Sequence, residues 1–139
     1  MDTRDRPSTL TDAAPNGRHP RVLVIEDDRH VRTLLGDLLS TWGYEADAAP
    51  NGREGLVLFE QGGYDVVLTD LAMPEMSGLD VVAGVRARDR SVAVIMFTGS
   101  MRNLDGEGRR LGFRVLHKPL DIEDLRQALQ DSLARPCSV

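Results

Sequence analysis

The chain's 139 residues, 41% of them hydrophobic, supply apolar material for one core and too little length for two, so a single domain is expected. A formal net charge of -5 with no compensating basic run argues against general affinity for nucleic acid or an anionic membrane, both of which are negative themselves. Cys137 is the single cysteine, which excludes an intramolecular disulfide and a cysteine metal cluster and fits a reducing cytoplasm; no apolar stretch is long enough to span a bilayer.

Residues 1–20 have Leu10 as their one large aliphatic side chain and are read as a flexible N-terminal tail. The domain is placed at residues 21–135, with 136–139 as a C-terminal tail. It starts with an apolar run at 22–25, and further runs follow at 66–68, 92–97 and 113–116, with a weaker, edge-like one at 44–48. Uninterrupted apolar runs predict strands covered on both faces, as parallel strands under crossover helices are. After the first run, Val31, Leu34, Leu35, Leu38 and Leu39 recur on one helix face, and Gly43 is a natural stop. A second helix is predicted over 54–61 with Leu56 and Phe59 inward, and a third from Ser77 or Gly78 through Arg86. Between Thr98 and Leu111, Gly99, Gly106 and Gly108 stand among few apolar positions, so the fourth helix should be short or irregular. The last helix should follow Asp121 as N-cap, with Ile122, Leu125, Leu129 and Leu133 inward. Strand alternating with helix five times predicts an open α/β sheet with right-handed crossovers.

Ligands of such sheets collect beyond the carboxyl ends of the strands. Here those ends carry Glu26, Asp27 and Asp28, then Thr69 and Asp70, then Thr98, then His117, Lys118 and Pro119. Carboxylates crowded into one crevice repel each other, and a hard cation removes the conflict. Mg²⁺ suits such a crevice because it takes oxygen ligands and is usually held by one or two carboxylates plus a phosphate oxygen. Asp27 and Asp70 suffice for that, with Glu26 reaching through water and a backbone carbonyl at Ala72 completing the protein's share. Each residue also has an ordinary structural reading: acids before a helix favour its positive end, Asp70 can cap a loop, and Lys118-Pro119 can be a turn. Their joint placement on four strand ends is what favours a phosphate and metal site. His19, His30 and His117 show no metal-ligand spacing and are read as structural or solvated. Met73, Met76, Met96 and Met101 are read as adaptable packing, and Trp42 as core or edge packing.

The run Val-Leu-Val-Ile-Glu-Asp-Asp at 22–28, the run Asp-Val-Val-Leu-Thr-Asp-Leu-Ala-Met-Pro-Glu-Met-Ser-Gly at 65–78, Thr98 and Lys118-Pro119 resemble, in that order, the response regulator receiver family of CheY-like, single-domain form. The resemblance covers about residues 20–135 and implies a flavodoxin-like (βα)5 three-layer sandwich with parallel strand order 2-1-3-4-5. By position it makes Asp70 the phosphoacceptor and Asp27 a direct Mg²⁺ ligand. Glu26 becomes its water-mediated neighbour, and the Ala72 carbonyl a further ligand. Thr98 and Lys118 would each bind a phosphoryl oxygen, and Lys118-Pro119 would be a cis peptide. The implied protein is a bacterial, cytoplasmic signalling domain and not an enzyme beyond its own phosphorylation and dephosphorylation. Its implied donor is a histidine kinase or a histidine phosphotransfer protein, and its output is contact with a downstream protein target. The physical logic agrees, because phosphoryl transfer asks mainly for in-line positioning and for cations on the equatorial oxygens. A carboxylate nucleophile needs no general base near neutral pH.

A flavodoxin proper is disfavoured by the three acids where a hydroxyl- and glycine-rich phosphate loop belongs. A haloacid-dehalogenase phosphatase is disfavoured by Ala72 in place of its second aspartate. The rival that stays open is a receiver-fold binding module acting independently of phosphorylation. Two departures support it: Val115 stands where the family often has Tyr or Phe, and the interval from Thr98 to Lys118 is short. If phosphorylation does act here, Val115 and the glycine content of the fourth-helix segment predict that it acts through order and disorder of that segment rather than through an aromatic rotamer switch. The chain ends shortly after its fifth helix and begins with Met1, which is read as a free-standing protein with no output domain.

Overall fold

The three central strands of the sheet alternate their side chains between two buried faces, which is why their sequences read as nearly continuous apolar runs. The computed structural model describes residues 19–134, so residues 1–18 of the predicted N-terminal tail and the whole predicted C-terminal tail at 136–139 lie outside the described residues. The elements in chain order are β1 (Arg21–Ile25), α1 (Arg29–Thr41), β2 (Glu45–Ala49), α2 (Gly52–Glu60), β3 (Val66–Asp70), α3 (Gly78–Arg88), β4 (Ala93–Thr98), α4 (Asp105–Leu111), β5 (Arg114–His117) and α5 (Ile122–Ala134). All strand pairings are parallel, in the order β2-β1-β3-β4-β5.

On one face Val22, Val24, Val66, Leu68, Ile95 and Phe97 meet Leu35 and Leu39 of α1 and Leu125 and Leu129 of α5. On the other, Leu23, Ile25, Val67, Val94 and Met96 meet Phe59 of α2 and Val81, Val82 and Val85 of α3. The edge strand β2 is the weakest in sequence for a physical reason. Its side chains are largely exposed, so Glu45 and Asp47 sit in water, where Arg21 pairs with both. Pro20, assigned to the tail, is buried, and its carbonyl accepts from the Glu45 N–H at 2.9 Å.

Local chemistry sets the helix ends. Asp28 caps α1 by accepting from the His30 and Val31 amides, Asn51 caps α2, Ser77 and Asp80 form a reciprocal capping box on α3, and Asp121 accepts from the Glu123 and Asp124 amides. Because Asn51 is the cap, α2 starts at Gly52, earlier than its apolar pattern indicates. Gly43 ends the first helical segment with φ +93°, a backbone angle that only glycine adopts freely. The fourth helix is short, as expected: α4 has seven residues, buries none of them, and has no side-chain cap at Leu104.

Two inward assignments and one packing assignment are corrected. Leu34 is 56% exposed because it lies at the margin of the apolar stripe that α1 presents, which centres on Leu35 and Leu39. Ile122 is 51% exposed; it is in phase with the α5 stripe but occupies the first turn, beside the capping residue. Met101 packs against nothing, at 95% exposure, because the chain between β4 and α4 is irregular and carries it outward. Trp42 is core packing, with the Arg126 guanidinium 5.4 Å from its ring centroid.

Candidate functional site

The carboxyl ends of β1, β3, β4 and β5 deliver the polar side chains into one crevice. Asp70 and Thr98 are the last residues of β3 and β4, buried at 4% and 1% exposure, and Glu26 follows β1 directly at 1%. Asp27 is exposed at the rim. Carboxylate oxygens of Glu26, Asp27 and Asp70 all lie within 4.8 Å of one another. Lys118, just past β5 and joined to Pro119 by a cis peptide, places Nζ 3.3 Å from Asp70 Oδ2 and 5.4 Å from the Phe97 ring centroid. Its backbone is fixed by the Lys118 N–H donating to the Thr98 carbonyl at 2.7 Å. Thr98 Oγ1 accepts from the Ser100 N–H at 2.9 Å, which leaves its own O–H free to donate elsewhere. Ala72 follows the buried Leu71 in the β3–α3 turn and is exposed.

The third acid of the sequence run separates from the other two. The Asp28 carboxylate is committed to the α1 amides, which hold its carboxyl below the usual range, and it stays out of the cluster. The ordinary reading of the run as helix-favouring acids thus holds for one residue in three.

Glu26 carries the electrostatic strain of the site. Burial pushes its carboxyl up to about 7, and the Asp70 charge pushes in the same direction, while the Asp28 N–H and Lys118 pull it down. Glu26 Oε2 accepts that N–H at 2.8 Å; Oε1 is buried with no hydrogen-bond partner. Three hard oxygen donors within reach of each other, one of them an orphaned buried carboxylate oxygen, suit a hard cation such as Mg²⁺ better than any soft or nitrogen-seeking metal.

Residues 22–130 match the family described as response regulator receiver domain. The chain belongs to that family. Regulatory protein AtoC of Escherichia coli (strain K12) is 34% identical to this receiver over 115 residues, covering 81% of it and 25% of AtoC. Sporulation initiation phosphotransferase F of Bacillus subtilis (strain 168) is 28% identical over 116 residues, covering 81% of the receiver and 93% of the relative. The receiver spans 25% and 27% of the first two curated relatives it matches. Among solved structures, Vibrio cholerae chemotaxis protein CheY4 has a TM-score of 0.77 at 29% identity, covering 83% of the receiver and 99% of CheY4. TrrA from Thermotoga maritima, solved in complex with Mg(2+)-BeF, has a TM-score of 0.75 at 31% identity, covering 82% and 99%. The function that comes with membership is that of a phosphoacceptor in response-regulator signalling, and the fold is the CheY-like order found here.

Three participants escape a reading of strand-end chemistry. Arg32, Ser100 and Phe97 each touch a site residue or its backbone. Arg32 alone had a sequence signal, since a cation one turn into the helix after an acidic loop is placed to reach back to it.

Proposed function

We propose that Asp70 of this receiver accepts the phosphoryl group, from a phosphohistidine on a histidine kinase or histidine phosphotransfer protein. An Asp70 carboxylate oxygen attacks phosphorus in line, the P–N bond to the donor imidazole breaks, and the imidazole leaves with the electron pair. Glu26, Asp27, Asp70 and the Ala72 carbonyl are the residues that would hold Mg²⁺. When bound, that ion supplies positive charge to the phosphoryl oxygens. Lys118 pairs with one phosphoryl oxygen, and the free O–H of Thr98 donates to another.

The single observation carrying this reading is the convergence of three carboxylates within 4.8 Å, with the Lys118 ammonium 3.3 Å from Asp70. Membership in the family supports it. We place the reaction in the cytoplasm, in keeping with the lone Cys137. No helix among the described residues is long and apolar enough to cross a membrane. Output is proposed to be contact with a downstream protein.

The test is incubation with acetyl phosphate and Mg²⁺ followed by intact-mass measurement. Wild type should gain one hydrolytically labile phosphate and Asp70→Asn none. Equal gain by both proteins overturns the assignment of Asp70, and no gain by wild type returns the choice to a phosphorylation-independent binding module.

A further inference from the structure

The turn between β1 and α1 carries two of the three clustered carboxylates, and its backbone is held by a side chain that the chemistry above does not use. Arg32, one turn into α1, donates through Nη1 to the Glu26 carbonyl at 2.9 Å and to the Asp27 carbonyl at 3.4 Å. The Asp27 carbonyl and the Asp28 N–H belong to the same peptide unit. Arg32 therefore takes one end of that unit, and Glu26 Oε2 takes the other at 2.8 Å. The consequence reaches the site: with Oε2 engaged in this way, Oε1 is the carboxylate oxygen left buried and unpartnered.

We propose that Arg32 is a positioning residue for the divalent cation. It fixes the backbone of residues 26–28 so that the Glu26 and Asp27 carboxylates stand together with Asp70 before the cation arrives. The proposal rests on the reading that Mg²⁺ binds this cluster.

Two opposed effects of Arg32 must be weighed. Its charge repels an incoming cation, and its hydrogen bonds preorganise the ligands. The first is the smaller. Arg32 makes no ion pair with an acid among the described residues, and its guanidinium donates to the Glu26 and Asp27 carbonyls. Its action runs through two carbonyls. Groups that orient metal ligands without touching the metal are worth 10- to 100-fold in affinity, and an effect through backbone belongs at the low end of that range. Nor is Arg32 needed to start the helix, because Asp28 caps α1 by itself. Loss of Arg32 should weaken the cation site and leave the fold.

The experiment is Mg²⁺ titration by calorimetry on the full chain as wild type, Arg32→Met and Arg32→Lys, alongside thermal unfolding and amide exchange of the metal-free proteins. Arg32→Met should bind Mg²⁺ about tenfold more weakly, with faster exchange at the Asp28 amide and a nearly unchanged Tm. Arg32→Lys, which keeps charge and length but loses the planar fork, should fall between. Wild-type binding matched by Arg32→Met overturns the role of Arg32 alone, and so does an unchanged Asp28 amide. Wild type that takes up no Mg²⁺ overturns the cation reading and this proposal with it. Should Arg32→Met lose the fold, Arg32→Lys decides: weaker Mg²⁺ in a folded protein supports positioning, and unchanged affinity overturns it.

Discussion

Lys118 Nζ stands 3.3 Å from Asp70 Oδ2, an ammonium from the end of β5 against a carboxylate at the end of β3, with β4 between them. The Lys118 side chain is 35% exposed, so solvent screens part of the attraction and the pair is a modest contributor to stability. Its larger effect belongs to the moment when charge builds on the transferring group. Lys118→Met should therefore slow phosphoryl gain from acetyl phosphate by about 100-fold, the usual cost of one oriented charge donor, while Mg²⁺ binding survives. Time-resolved intact mass checks this, and an unchanged rate would remove Lys118 from the site.

Glu26 should make the metal-free receiver less stable at alkaline pH. Its carboxyl is pushed up to about 7 from an ordinary value of 4.5, so the folded state binds that proton more tightly than the unfolded state does. The resulting stabilisation is complete below about pH 4.5 and is lost as pH rises through about 7. Above that range the charged carboxylate costs on the order of 1–3 kcal/mol. Glu26→Gln keeps an oxygen for the Asp28 N–H and removes the charge. Its Tm in chelator should exceed that of wild type at pH 8 and approach it at pH 5. Scanning calorimetry at the two pH values decides, and an equal difference at both would count against a strained Glu26.

How much of this was legible beforehand depends on the kind of force at work. The central strands were readable because burial on both faces favours apolar side chains everywhere but at the strand ends, and β2 was faint because an edge strand escapes that demand. The cluster was readable because chemistry needs carboxylates at strand ends whatever surrounds them. The division of labour within Glu26-Asp27-Asp28 was hidden, since only coordinates separate an acid that caps a helix from one that joins a crevice. Leu34 and Ile122 show the same limit: helical period gives the phase of a stripe, not where the stripe runs out of neighbours. Ser100 acts through its backbone N–H, which leaves little mark on residue identity, whereas Arg32 left a signal in its spacing from the acidic run.

Gly78 should prove intolerant of a single methyl group. A Cβ there would meet the Asp70 carbonyl oxygen and stand 2.9 Å from Leu71 Cα, and both are backbone atoms that cannot rotate away. The Gly78 N–H also donates to the Leu71 carbonyl at 2.8 Å, so helix α3 and the end of β3 are already in close approach. Gly78→Ala should cost about 1–3 kcal/mol of stability, and it should slow phosphoryl gain further than the stability loss explains, because the strain falls on Asp70 itself. Denaturant unfolding and intact mass, measured below the unfolding transition, test both parts; wild-type values in each would show that the backbone yields freely.

Helix α4 should respond to phosphorylation from one end only. It buries none of its seven residues, and Val115, paired with Met96 in the sheet, offers no ring to report on the site. Its C-terminal end is nevertheless held, because half-buried Arg86 donates through Nε to the Leu111 carbonyl at 2.6 Å and through Nη2 to the Gly112 carbonyl at 2.8 Å. At the other end Thr98 Oγ1 receives the Ser100 N–H, and Ser100 Oγ receives the Arg102 N–H, each at 2.9 Å. A phosphoryl oxygen that draws the Thr98 hydroxyl therefore pulls on residues 100–102 while 111–112 stay pinned. With beryllofluoride and Mg²⁺ as phosphoryl mimic, amide exchange should change across 99–110 and little at 111–112. Arg86→Met, by removing hydrogen bonds from a charged donor worth about 2 kcal/mol, should extend fast exchange through 113. Unaltered exchange over 99–112 in wild type would show that this segment does not carry the signal, and unaltered exchange at 111–113 in Arg86→Met would show that the clamp is not what holds it.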